Sequence, residues 1–282
     1  MARPMRIEYP GALYHVMSRG NARSAIFLND EDRKLFLEIL RNVIERYGWK
    51  CYTYCLMNNH YHLLIETPGA NLSIGMRQLN GVYTQACNRA HRLTGHIFQG
   101  RFKAHVVDKQ NYLLMLSAYI ALNPVRVKLA RKAEDWIWSS YRAIIGVDQV
   151  PGWLEAHYIR EQFGSTMKKA KKNYERFVAE QLNRSTPWNE VTGQVLLGDD
   201  DFIAAMGEKI ADRSGEAEIP REQRYFNRPE LKDLFSNIVT MDERNKKIIE
   251  TYFKYGYRQA EIAKHTGLHY STISRLISAN KM

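Results

Sequence analysis

The sequence predicts an α+β chain: an antiparallel sheet of ferredoxin-like topology with helices packed on it, followed by a largely helical C-terminal region. Three observations lead there. Segments of period two and of period 3.6 alternate along residues 12–124 in the order strand, helix, hairpin, helix, strand, helix. The breaks between them fall on turn residues, among them Gly20, Gly48 and the pair Asn58-Asn59. After residue 146 the pattern changes to charged helices and loops.

Each element has its own signal. "ALYHVMSRG" (12–20) alternates as a short strand ending at Gly20. "NDEDRKLFLEILRNVIERYG" (29–48) is an amphipathic helix, capped by Asn29 or Asp30, with acids in its first turn and Gly48 as its stop. "WKCYTYCLM" (49–57) is strand-like and aromatic, and the Asn58-Asn59 turn folds it back on "HYHLLIE" (60–66) as a hairpin. "NLSIGMRQLNGVYTQACNRAHRLTG" (71–95) is a second long helix, "IFQGRFKAHVVD" (97–108) a further strand, and "NYLLMLSAYIALNP" (111–124) a third helix ended by Pro124. The expected divisions are a first domain over 1–150, a mainly helical linker region over 151–239 and a small module over 240–282. Within the linker region, "TMKKAKKNYERFVAEQL" reads as a basic exposed helix, and "LLGDDDF" and "ADRSGEAEIPREQR" as loops and short helices.

Composition narrows the class. An apolar share of 45% suits a globular protein with a core, and no run of 18 apolar residues is present to span a membrane. The first residues, "MARPMRIEYPGALYHV", lack the apolar core of a signal peptide. Cys51, Cys55 and Cys87 cannot build a disulfide framework and lack zinc-finger partners, so reduced cysteines in a cytoplasmic protein are expected. Residues 1–150 hold 20 Lys and Arg against 11 Asp and Glu, a net of +9 out of the +11 of the whole chain. A basic half with interleaved aromatics suits a polyanionic partner, most often nucleic acid.

The chemistry concentrates in "LMNNHYHLLIE" (56–66). On a strand, residues two apart share a face. His60, His62 and Leu64 therefore stand together, with Tyr61, Leu63 and Ile65 opposite, and helices can cover one face while the sheet displays the histidines. Two adjacent imidazoles can converge on a metal ion, a phosphate or a proton. In "SAYIALNPVR" Tyr119 and Asn123 are four apart, on one helix face. A phenol can attack phosphorus and divide a phosphodiester exchange into two easier steps. With two imidazoles, Asn123 would leave open positions on a divalent ion. Spacing alone does not choose Tyr119 among the 17 tyrosines.

The first 146 residues resemble the single-tyrosine HUH transposases, and within them the REP-associated tyrosine transposases. The stretches that carry this are "YHVMSRGNARSAIF", "CLMNNHYHLLIETP", "GHIFQGRFKAHVVD", and "YIALNPVR" followed by "WSSYRA". The resemblance implies His60 and His62 as ligands of Mg²⁺ or Mn²⁺, Asn123 as the amide ligand and Tyr119 as the nucleophile. It implies single-stranded DNA beside a hairpin as substrate, cleaved through a 5′-phosphotyrosine with a free 3′-hydroxyl and rejoined by reversal. A monomer is the form it implies, although insertion-sequence relatives are dimers that exchange the tyrosine helix. Asn58 departs from the usual proline and "VRVKLA" from a more usual Arg-Ala-Gly run. A domesticated, non-cleaving binder of hairpin DNA is the competing reading. Arg19, Arg23, Arg101, Lys103 and Arg126 are the candidate phosphate contacts, and Phe98, Phe102 and Tyr112 the candidate base stackers.

"YRQAEIAKHTGLHYSTISRLI" (257–277) is legible on its own as a helix-turn-helix. Thr266-Gly267-Leu268 makes the turn, and Ile273, Leu276 and Ile277 form the inner face of the second helix. His269, Tyr270, Ser271, Thr272 and Arg275 would then face duplex DNA. The segment resembles the duplex-reading module of bacterial replication initiators.

Overall fold

In the computed structural model, which describes residues 6–211, 228–236 and 238–280, the chain forms two compact units, Arg6–Phe202 and the residues from Ile203 onward. The expected division near 150 falls inside the first of these.

The first unit is built on a sheet of β1 (Ala12–Arg19), β2 (Lys50–Leu56), β3 (His60–Thr67), β4 (Lys103–Val107) and β5 (Leu196–Leu197), in the order β2-β3-β1-β4-β5. The first four strands are antiparallel and have the ferredoxin-like arrangement. The fifth makes the sheet mixed. It comes from the expected loop "LLGDDDF" and runs parallel to β4. Val106 N–H donates to the Val195 carbonyl and Asp108 N–H to that of Leu197, so β4 is not left with an open edge. The other edge, β2, is closed by the "WSSYRA" stretch. Leu56 N–H donates to Trp138 O, Ser140 N–H to Tyr54 O, and Ser140 Oγ lies 2.7 Å from Thr53 Oγ1.

Helices cover both faces, where the sequence had suggested one covered and one displayed. α1 (Asp30–Tyr47) starts at a capping box between Asn29 and Asp32 and ends where Gly48 turns left-handed at φ 66°. α2 (Leu72–His91) ends at Arg92 rather than at Gly95. The two helices enclose the Tyr61 face: the Tyr61 ring lies 4.7 Å from Phe36, and its hydroxyl donates to Asn80 Oδ1 at 2.6 Å. α3 (Lys109–Arg126) crosses the opposite face against β2 and β3. Pro124 does not end α3 but sits within its last turn. Proline lacks one N–H and the helix runs on past it, with the Asn123 side-chain amide donating to Tyr119 O.

The strand expected at 97–108 is reduced to β4. Residues before it form a loop in which Asn21 N–H donates to Ile97 O and Gln99 N–H to Arg19 O. Beyond α4 (Tyr141–Ile144) and α5 (Ala156–Glu161), α6 (Met167–Gln181) is basic as expected yet half-buried. It packs on α3 through Tyr174, whose hydroxyl donates to Ser117 Oγ at 3.2 Å. The three cysteines are buried and unpaired, and burial pushes the Cys51 and Cys55 thiols up.

α7 (Asp200–Ala211) runs across the division between the units, and "ADRSGEAEIPREQR" lies almost wholly outside the described residues. The second unit holds α8 (Met241–Phe253), α9 (Gln259–Thr266) and α10 (Tyr270–Ser278) around Ile248, Tyr257, Ile262, Ile273 and Ile277. Gly267 at φ 69° makes the turn between α9 and α10. Among the described residues, no helix is long and apolar enough to cross a membrane.

One glycine ties this scaffold to the sheet end at His60. Gly20 N–H donates to Asn59 O, and a Cβ on Gly20 would stand 2.1 Å from the Ser24 carbonyl oxygen. Gly20→Ala is expected to cost about 1–3 kcal/mol, read as a lower urea midpoint with an unchanged slope.

Candidate active site

The pleat fixes which side chains meet. In the β1–β3 ladder Met17 faces His62 and Arg19 faces His60, and in the β1–β4 ladder His15 faces His105. His15, Arg19, His60, His62, Lys103 and His105 therefore lie on one face of the sheet. The His60 and His62 rings are 5.0 Å apart and nearly perpendicular. His15 Nε2 is 2.8 Å from His62 Nδ1, and the His15 ring stacks on His105 at 5.9 Å.

α3 brings the tyrosine to this face. The Tyr119 ring lies 6.4 Å from that of His62, edge to face, and is half-exposed. Four residues on, Asn123 is buried, with its side-chain nitrogen donating to Tyr119 O and its side-chain oxygen left available as an acceptor. The Arg126 guanidinium stands over the Tyr119 ring at 4.9 Å and donates to Gln181 O. Trp188, from the expected linker region, completes the wall. Its ring is 4.5 Å from His15, 4.9 Å from His105 and 5.2 Å from Tyr119.

The donor set fits a divalent ion. A ligating imidazole must be neutral with a free lone pair. Burial, aided by Arg19, pushes His60 down to about 4, and burial, aided by His60 and Arg19, pushes His62 well below the usual histidine range. His60 Nδ1 is 2.7 Å from Asn59 Oδ1, an acceptor, so that nitrogen carries the hydrogen and Nε2 the lone pair. His62 Nε2 is buried without a hydrogen-bond partner. His60, His62 and Asn123 thus offer two imidazole nitrogens and a neutral oxygen. Among the described residues, the ligand atoms of Asp32, Cys87 and His91 lie within 4.8 Å of one another. There the Asp32 carboxylate is already taken, one oxygen by the backbone N–H groups of Leu28 and Asn29 and the other by His91 Nε2 at 2.7 Å. This cluster ties α1 to α2.

The remaining sequence candidates divide. Arg23, Arg101 and Lys103 are exposed and Arg19 half-exposed. Of the stacking candidates, Phe98 and Phe102 are core residues: Phe98 packs on Tyr61 and Tyr83, and Phe102 lies under the Arg6 guanidinium at 3.9 Å. Tyr112 is half-exposed with its hydroxyl on Glu190. Asn58 has a local task, accepting from Arg33 Nη2 at 2.8 Å. In the second unit His269, Tyr270, Ser271 and Arg275 are exposed and Thr272 half-exposed, while Ile273 and Ile277 point inward. Sequence reasoning missed His15, His105 and Trp188. The first two had a signal, since "ALYHVMSR" and "KAHVV" alternate like β3, but their meeting needs the strand order.

A pH dependence follows. Burial, with the neighbouring Lys103, pushes His105 down to about 4, as it does His60, and His15 and His62 shift in the same direction. In the unfolded chain these rings take up protons near ~6.5. Between about 6.5 and 4 the unfolded state therefore binds more protons, and stability is lost as pH falls through that window. Thermal midpoints should drop from pH 7 to pH 4.5, less steeply for His105→Leu; equal slopes would show that His105 is not buried neutral.

Residues 9–123 match the family model described as Transposase IS200 like. A Haemophilus influenzae protein named as a REP-associated tyrosine transposase is 24% identical over 152 residues, which span 50% of this chain and 86% of that one. Among solved structures, a REP-associated tyrosine transposase bound to a REP hairpin has a TM-score of 0.47 at 19% identity, covering 54% of this chain and 89% of its own. A Deinococcus radiodurans protein described as a transposase has a TM-score of 0.31 at 18% identity, covering 40% and 92%. The matched span contains β1 to β4, His60, His62 and Tyr119.

Proposed function

We propose that this chain is a single-strand DNA nickase and strand transferase that acts beside hairpins of the REP type. Tyr119 is the nucleophile. The observation that carries the reading is the Tyr119 ring standing 6.4 Å from His62, on the face where His60 and His62 lie 5.0 Å apart. Attack by Tyr119 Oη on the scissile phosphorus forms a 5′-phosphotyrosine and releases a 3′-hydroxyl. Return of that hydroxyl, or arrival of another, reverses the step, so the covalent link conserves the bond.

His60, His62 and Asn123 would hold Mg²⁺ or Mn²⁺, which when bound supplies charge to the scissile phosphate and the departing oxygen. Arg126 over the Tyr119 ring, with Arg19 and Lys103 on the same sheet face as the histidines, would draw the phosphate backbone to the tyrosine. Trp188 restricts the motion of the phenol by packing edge-on against it. In the second unit the exposed residues of the α9–α10 turn and of α10 suit contacts to duplex flanking the hairpin.

With Mg²⁺ or Mn²⁺ and a labelled single-stranded hairpin oligonucleotide, the protein should form an adduct stable on a denaturing gel, and Tyr119→Phe should form none. An undiminished adduct from Tyr119→Phe would remove the nucleophile assignment. No adduct from the unaltered protein, with hairpin binding retained, would favour the non-cleaving binder. Arg275→Ala should weaken binding to flanking duplex by about 1–3 kcal/mol if it reads a guanine, and leave adduct formation on a bare hairpin unchanged. Equal duplex affinity would separate α10 from recognition.

A further inference from the structure

The hydrogen bond between two buried histidines poses a question of tautomers. His15 Nε2 and His62 Nδ1 are 2.8 Å apart, and the two rings are 2% and 4% exposed. Both outer nitrogens, His15 Nδ1 and His62 Nε2, are buried with no hydrogen-bond partner. Each neutral imidazole carries one hydrogen, so the shared bond can run in only two directions. If His15 donates, His62 keeps its hydrogen on Nε2 and has no lone pair for an ion there. If His62 donates from Nδ1, its Nε2 lone pair is free.

Resting on the reading of His60 and His62 as metal ligands, we propose that His15 is a positioning residue that accepts the Nδ1–H of His62 and holds it in the metal-binding tautomer. In either direction the pair leaves one hydrogen and one lone pair unmatched. Only in the second is the unmatched lone pair on His62, where an ion satisfies it. Asn59 Oδ1 does the same for His60 at 2.7 Å, so each ligand has one acceptor behind it. The His15 ring cannot readily turn away. It is 2% exposed, stacked on His105 and 4.5 Å from Trp188.

Two measurements test this. In the long-range ¹H–¹⁵N spectrum of the metal-free full-length protein, His62 should show a protonated Nδ1 and an unprotonated Nε2; a hydrogen on Nε2 would overturn the proposal without any variant. Mn²⁺ titration followed by electron paramagnetic resonance gives the second. His15→Phe keeps a ring against Trp188 and removes the acceptor, and should weaken Mn²⁺ binding about 10–100-fold. His15→Gln, whose amide oxygen can accept, should recover part of that loss, while hairpin affinity without metal stays the same in both. Unchanged Mn²⁺ affinity in His15→Phe, beside a loss in His62→Ala, would refute the role of His15 alone. If His62→Ala also binds Mn²⁺ like the unaltered protein, the ligand reading itself falls. A His15→Phe protein that loses hairpin binding too would mark a structural residue, and His15→Gln without recovery would count against the proposal.

Discussion

The site depends on β3 being an interior strand with both faces covered. A residue there is committed to one side by the pleat, and a slip of one position would exchange the two sides completely. One side must fill a core: Tyr61, Leu63 and Ile65 lie at 0% exposure. That requirement fixes His60 and His62 on the other side, facing α3. The core of one face thus sets the register of the chemistry on the other. Tyr61 is the hinge of this argument. It separates the two histidines in sequence, and its own ring is pinned by Phe36 and by Asn80. Its substitution would act on the histidine face without touching it.

Much of this was legible in the sequence. Period-two alternation gave the strands, the Asn29 cap and Gly48 stop gave α1, and the spacing of Tyr119 and Asn123 gave their common helix face. What stayed hidden depended on contacts distant in the chain. Leu196 and Leu197 are too short to show alternation, and they become a strand because β4 offers an edge. Trp188 lies in a stretch of ordinary polar and charged residues, and nothing local marks it as a neighbour of His15 and Tyr119. Phe98 and Phe102 misled in the opposite direction. Aromatic residues near basic ones look like a stacking surface, but these two are held in the core, while Arg101 and Lys103 beside Phe102 stay exposed. Pro124 misled through a rule that holds for most helices. It sits in the last turn of α3 and interrupts little.

The uneven charge also has a place in this arrangement. The basic first half accounts for +9 of the +11, and two of its cations, Arg19 and Lys103, lie on the histidine face of the sheet. Arg19 helps to hold His60 and His62 unprotonated, and Lys103 does so for His105, each secondary to burial. A surface that attracts phosphate by its positive charge is therefore also one that keeps imidazoles neutral. The two effects need not have coincided. Carboxylates beside these rings would have repelled DNA and raised histidine pKa values together, filling the lone pairs with protons.

Burying two imidazoles and half-burying two more has a cost of its own. His15 Nδ1, His62 Nε2 and His105 Nδ1 all lack partners, and unmet polar atoms of this kind destabilise a fold by about 1–3 kcal/mol each. The opposite face offsets this with a cluster of Phe27, Phe36, Tyr61, Tyr83 and Phe98 rings between the sheet and its two helices. On the proposed reading, the unpaired Nε2 of His62 is unfavourable in the folded chain alone and would be relieved by an ion, so the atom that weakens the fold would also supply binding energy. On that reading the nitrogen stays unpaired although His15 bonds the other side of the same ring and Tyr119 stands edge-on to it.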